Sequence, residues 1–138
     1  MKSADLKAIP YVERAAHAVS LVLASHPGLK VNQAEAHVLA FLHVARRARV
    51  GELHAEFGHR RSTLTSVLDR LERRGIITRA TDPGDRRSVT VALTGAGATL
   101  AHKVFDTLAA FEAEALRKVS LKDITAFRRV LAALSASD

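Results

Sequence analysis

Residues 51–97 read GELHAEFGHRRSTLTSVLDRLERRGIITRATDPGDRRSVTVALTGAG. Gly51 to Phe57 is expected to be a short helix, with Leu53 and Phe57 one turn apart on its inner face. Gly58 supplies a sharp turn, because only glycine takes a positive φ at no steric cost. A longer helix is expected from about Arg60 to Arg74, with Leu64, Val67, Leu68 and Leu71 facing inward. Its outer face carries Arg61, Ser62, Thr65, Ser66, Asp69, Arg70 and Arg73, and Gly75 stops it. Ile76 to Thr81 then reads as a strand. Asp82-Pro83-Gly84-Asp85 suits a type II turn, with Pro second and Gly third. Val89, Val91 and Leu93 alternate with Ser88, Thr90 and Ala92, the pattern of a half-buried strand. Short helix, glycine turn, longer helix and hairpin together read as a helix-turn-helix with a β-hairpin wing, a shape for gripping DNA.

The flanks read as a helical frame. Leu6, Ile9, Val12, Ala16, Val19 and Leu23 recur at spacings of three or four, so 5–25 is mostly helix. Pro10 fits only a first turn or a kink, and the first of these starts the continuous part near Ile9. His26-Pro27-Gly28 ends it. Asn32 can cap a second helix, with Glu35 placed for a capping box. Residues 45–50 form a connector with room for a short strand. Thr94 can cap a helix over about 95–118, striped by Leu100, Val104, Leu108, Phe111 and Ala115. Ser120 can cap a last helix, where Ile124, Phe127, Leu131 and Leu134 follow the spacing of a helix–helix seam. A reading head of about 50 residues is too small to cover all these apolar faces. A second copy is the simplest cover, since symmetric dimers are the commonest assemblies.

Charge points the same way. The 138 residues carry a net charge of +7, and residues 46–87 hold 11 of the 21 basic residues against 6 of the 14 acidic ones. All 11 are arginine, the better residue for forked phosphate contacts and groove insertion. With no cysteine, disulfides, thiolate metal sites and cysteine redox sensing are excluded. The seven histidines are dispersed, with no compact metal spacing. No phosphate-binding glycine loop, nucleophile context or carboxylate pair marks an enzyme, and no cofactor is expected. No apolar run approaches the roughly 18 residues of a membrane span, and the N-terminus lacks a signal-peptide pattern, so a cytoplasmic protein is expected.

Three blocks carry a family resemblance. They are Ser62-Thr63-Leu64-Thr65 with Leu68-Asp69-Arg70-Leu71-Glu72-Arg73-Arg74-Gly75, then Asp82-Pro83-Gly84-Asp85-Arg86-Arg87, then Leu93-Thr94-Gly95-Ala96-Gly97. In this order they resemble the MarR family of winged helix-turn-helix transcriptional regulators, along nearly the whole chain. The resemblance implies one domain of mainly α class with a small β-hairpin (α+β). Residues 5–45 and 95–136 would form the dimerisation frame and 46–94 the DNA-binding head. It also implies a homodimer on palindromic double-stranded DNA, acting as a repressor, with the recognition helix in the major groove and the wing in the minor groove.

The expected DNA contacts follow from those placements. Ser62, Thr63, Thr65 and Ser66 lie in the first turns of the recognition helix, where N–H groups and short hydroxyls meet phosphates or base edges. Arg60 and Arg61 can fork onto guanine or grip phosphate; phosphate is expected for Arg60, and Arg61 stays open between the two. Arg70 and Arg73 lie further along, and Arg73 and Arg74 have Asp69 and Glu72 within reach as surface ion-pair partners. Arg86 and Arg87 would enter the narrow, strongly negative minor groove. By resemblance Arg87 is the wing arginine and Asp85 its supporting acid. Four positions depart from the family pattern: His54 for Ala, His59 for an apolar turn residue, Arg60 for a capping Ser or Asp, and Ser66 for a common Arg. The family further implies a small aromatic or phenolic acid as effector, in a crevice drawing on His17, His37, His43 and Arg46. The competing readings are an effector-independent DNA-binding protein and a winged-helix module for protein–protein contact.

Overall fold

The computed structural model describes residues 5–58 and 61–136. In chain order the helices are α1 (Ile9–Ala24), α2 (Gln33–Ala45), α3 (Val50–Phe57), α4 (Arg61–Arg73), α5 (Gly95–Ala115) and α6 (Leu121–Ser135). A single 3-10 turn, Pro27–Leu29, separates α1 from α2. The strands are β1 (Arg47–Arg49), β2 (Ile77–Asp82) and β3 (Asp85–Leu93). They form one antiparallel sheet in the order β1-β3-β2. The fold is α+β, a winged helix-turn-helix whose hairpin gains β1 as a third strand. The chain divides into two compact units at Leu108/Ala109.

Local chemistry sets the helix ends. Asn32 accepts the Glu35 N–H at 2.8 Å while the Glu35 carboxylate accepts the Asn32 N–H at 3.1 Å, the expected capping box. Gly58 ends α3 with φ +56°. At the end of α4, Gly75 has φ +72°, and the Gly75 and Ile76 N–H groups reach back to Glu72 and Leu71. That is a Schellman closure, and glycine permits it. Ser120 caps α6 through the Asp123 N–H at 3.1 Å.

The core of the first unit is aliphatic. Leu39 and Leu42 of α2, Leu53 of α3, Leu64, Leu68 and Leu71 of α4, Ile77, Val91 and Val104 are all fully buried. The four predicted inner positions of α4 are therefore all inside. Each such side chain contributes about 1.5–3 kcal/mol of burial. Glu35 is the buried acid, and Arg74, 3.6 Å away, compensates it.

Two expectations about the wing are overturned. Gly84 does not take a positive φ, so the turn is not type II. The Asp82 carboxylate instead accepts the Gly84 N–H at 2.9 Å, and this side-chain bond shapes the turn without a left-handed residue. The clean alternation of the second strand is also absent: only Val91 is fully buried, and Ser88, Thr90 and Ala92 are half-covered. The reason is that β3 is the central strand, flanked by β1 and β2.

Thr94 holds the corner between the sheet and α5. Its hydroxyl donates to the Gly75 carbonyl at 2.6 Å and accepts the Gly97 N–H at 3.0 Å. Gly97 is packed so closely that an added Cβ would lie 1.9 Å from the Ile76 carbonyl oxygen. Gly95, two residues earlier, faces open space. Gly97→Ala is expected to lower unfolding free energy by about 1–3 kcal/mol in urea denaturation, while Gly95→Ala stays within about 0.5 kcal/mol of the parent. Equal effects would contradict the close approach.

Candidate nucleic-acid interface

The outer side of α4 is built from short polar groups. Ser62, Thr63, Thr65 and Ser66 are exposed, because Leu64, Val67 and Leu68 take the inward positions of the same turns. Arg61 opens the helix. Arg60 and His59 lie outside the described residues. Arg70 is half-buried, and Arg73 is exposed, donating through Nε to the Asp69 carbonyl at 3.3 Å.

The wing supplies the second element. Asp85, Arg86 and Arg87 are exposed at the start of β3. The Asp85 carboxylate accepts the backbone N–H of Arg87 at 3.0 Å. The acid therefore shapes the main chain beneath Arg87.

A cleft of about 540 Å³ joins the two elements, lined by Thr65 and Leu68 of α4, Arg79 of β2, Arg87, Ser88 and Val89 of β3, and the start of α3. Arg49 and His54 also line it. The structure thus brings the predicted Thr65 and Arg87 to one hollow. It adds Arg49 and Arg79, which sequence reasoning had counted in the arginine cluster without a role.

Arg79 has a clear task. Its Nη2 donates to Asp69 at 2.7 Å and to Glu72 at 2.8 Å. The expected pairing of Arg73 and Arg74 with these acids is overturned. Arg79 reaches both carboxylates from the neighbouring strand, and Arg74 turns instead to the Lys30 carbonyl at 2.8 Å and to Glu35. The Arg79 hydrogen bond holds the Glu72 carboxyl below the usual glutamate range. The two carboxylates in turn raise Arg79 further above its already high value. Glu72 is solvent-facing, so the effect is modest.

The four candidate effector residues are spread. His17 and Arg46 are exposed. His37 packs edge-on against Phe57 of α3, with ring centroids 4.0 Å apart. His43 lies instead against Phe105 of α5 at 4.8 Å and His102 at 5.3 Å. None of the four lines the cleft between α4 and the wing. Arg46 ends α2 with φ +73°, a strained conformation for a residue with a Cβ. Among the described residues no three metal-ligating side chains come together, and no helix is long and apolar enough to cross a membrane.

The pH dependence of the clamp has a defined sign. As pH falls, the unfolded chain protonates at Glu72 before the folded chain does, so the contribution present above about pH 4.5 is lost below it. Thermal unfolding of the parent is expected to show this loss as pH falls below about 4.5, and Arg79→Gln to flatten it. An unchanged pH profile in Arg79→Gln would remove the clamp from the account.

Residues 31–89 match the model of the MarR family. A stretch of 70 residues is 41% identical to the HTH-type transcriptional regulator PecS of Dickeya dadantii (strain 3937). The match covers 51% of this chain and 42% of PecS, so the chain spans less than half of that relative. The PcaV transcriptional regulator of Streptomyces coelicolor, solved with its natural ligand, superposes with a TM-score of 0.80 at 19% identity, covering 99% of this chain and 96% of its own. A mutant MarR of E. coli complexed with operator DNA gives 0.74 at 20% identity, covering 97% and 98%. At these identities the structural likeness shows the fold.

Proposed function

We propose that this chain is a member of the MarR family of winged helix-turn-helix proteins and a sequence-specific DNA-binding transcriptional regulator. One observation carries the reading: Thr65 of the exposed hydroxyl face of α4 and the exposed Arg87 of the wing line one cleft together with Arg49 and Arg79. Hydroxyls and helix N–H groups position a protein on phosphates, and arginine suits the minor groove. In this reading Arg60, Arg61, Ser62, Thr63, Thr65, Ser66, Arg70 and Arg73 serve the major-groove side. Arg86 and Arg87 serve the minor groove, with Asp85 setting the main chain beneath them. That a MarR neighbour of the same fold was solved complexed with operator DNA supports DNA as the partner.

The assembly is read as a homodimer on palindromic sites, repressing in the cytoplasm. Residues 46–94 are the head and 5–45 with 95–136 the frame of one domain. Exposed apolar side chains support the dimer. They include Ile9, Tyr11 and Leu21 on α1, and Leu121, Phe127, Val130 and Leu134 on α6. Control by a small-molecule effector is the second part of the reading. It is supported by neighbours solved with ligands, PcaV with its natural ligand and NadR with 4-hydroxyphenylacetate. A ligand acts here by favouring one spacing of the two heads over another.

Selection of bound sites from random duplexes tests the reading directly. The expected outcome is a palindrome with half-sites about one helical turn apart. Recovery of no enriched site refutes it. On the selected duplex, Arg87→Ala is expected to weaken binding by about 1–3 kcal/mol with an unchanged thermal midpoint, and to flatten the salt dependence. Sedimentation is expected to give a dimer, and Phe127→Asp a monomer. A monomeric parent would overturn the two-fold assembly.

A further inference from the structure

We propose that Lys30, with Arg70 and Arg73, forms a second phosphate-gripping edge for duplex DNA, on the flank of α4 away from the wing. The assignment rests on the regulator reading and adds to it a contact from the turn between α1 and α2. The outer face of α4 has two flanks. Thr65, Asp69 and Glu72 follow at spacings of four and three, and there Arg79 of β2 and the wing cleft meet them. Ser66, Arg70 and Arg73 follow at the same spacings on the other flank. A major groove about 12 Å wide takes a helix about 10–12 Å across with its side chains, so each flank of a recognition helix faces a backbone. The wing serves one of them.

The other flank carries a trough of about 590 Å³. Lys30, Glu35, Arg70, Arg73 and Arg74 line it, all of them charged. Glu35 is the single acid, and it is already committed. It is buried, its Oε1 accepts the Asn32 N–H at 3.1 Å, and its Oε2 lies 3.6 Å from Arg74. Lys30 and Arg73 are exposed and Arg70 is half-buried. Among the described residues neither Lys30 nor Arg70 takes part in an ion pair. Four cations around one compensated carboxylate attract an anion, and a wall without apolar side chains gives an organic body nothing to rest on. A row of phosphates passing over the trough fits both facts.

Lys30 is also held in place. Its backbone is left-handed, with φ +52° and ψ +44°, where glycine sits freely and a residue with a Cβ does not. Arg74 Nη1 donates to its carbonyl at 2.8 Å. Glu35 anchors Arg74 in turn while capping α2 through its box with Asn32. The relay from Glu35 through Arg74 to Lys30 thus ties the α1–α2 turn to the end of α4. Strained backbone kept in place by its surroundings clusters where a side chain has a task. For a lysine in a glycine-like position beside Arg70, phosphate charge supplies that task.

The test is titration of the full chain with the site-selected duplex and with a scrambled one, over a range of salt. Lys30→Asn removes the charge and keeps a residue that tolerates left-handed backbone. It is expected to weaken binding about three- to tenfold on both duplexes alike and to leave the thermal midpoint unchanged. The slope of log affinity against log salt is expected to become shallower by about one per copy bound. Lys30→Arg is expected to restore affinity and slope. Unchanged affinity in Lys30→Asn, a loss without a change of slope, or a loss confined to the selected duplex overturns the proposal. So does a lowered midpoint in Lys30→Asn, which would make Lys30 a structural residue. Saturable shifts of the Lys30 amide with inorganic phosphate at constant ionic strength would assign the trough to a free phosphate and overturn it too. A parent that binds neither duplex refutes the regulator reading and this edge with it. A parent that binds no better than Lys30→Asn refutes the edge alone.

Discussion

The reading head depends on one polar knot at Thr94. Its N–H donates to the Ile76 carbonyl at 3.0 Å, its hydroxyl donates to Gly75, and the same hydroxyl accepts from Gly97. One residue thereby joins the end of α4, the start of β2, the end of β3 and the first turn of α5. Each hydrogen bond is worth only about 0.5–1.5 kcal/mol net. Their weight lies in geometry, because they meet where Gly97 lets two backbones touch. A helix and a wing that grip one duplex must keep a fixed offset. This corner holds the base of both.

Arg79 adds a second tie and changes the electrostatics of the face it spans. Asp69 and Glu72 sit on the solvent side of α4, where their charge would repel phosphate. Arg79 neutralises both from β2 while bridging helix to strand. The arginine count of the head therefore overstates its free cations. Arg79 balances acids, and Arg74 compensates the buried Glu35. Among the described side chains, the exposed or half-exposed arginines of the head not tied to a carboxylate include Arg49, Arg70, Arg73, Arg86 and Arg87.

Elements with local causes were legible in the sequence. Asn32 with Glu35, Thr94 and Ser120 cap within three residues, and each cap forms as its spacing requires. The inner stripe of α4 is likewise a matter of helical period. What escaped is set across elements. Arg79 was one arginine among eleven until β2 folded back along α4, because nothing in a strand's own pattern says which helix carboxylates it will meet. The turn at Asp82 failed as type II because Pro and Gly propensities were weighed without the Asp82 side chain, which bonds the loop itself. The candidate interface was readable in kind, exposed hydroxyls and wing arginines. Its inclusion of Arg49 came only from the antiparallel pairing of β1 with β3.

The strongest argument for a partner chain comes from α6. This helix has no buried residue, although Leu121 is 75% and Phe127 53% exposed. A 15-residue helix is marginal in water by propensity alone and draws most of its stability from an apolar face covered by something else. Single exposed leucines are ordinary on protein surfaces. A row of apolar residues at seam spacing is different: Phe127 and Leu134 of that row are exposed, and Ile124 and Leu131 are only half-covered. In the proposed homodimer a second copy would bring the same seam to meet it, and closed two-fold pairing would consume both faces at once. In the proposed homodimer the same operation would duplicate the head and so supply the second recognition helix that a palindrome would require.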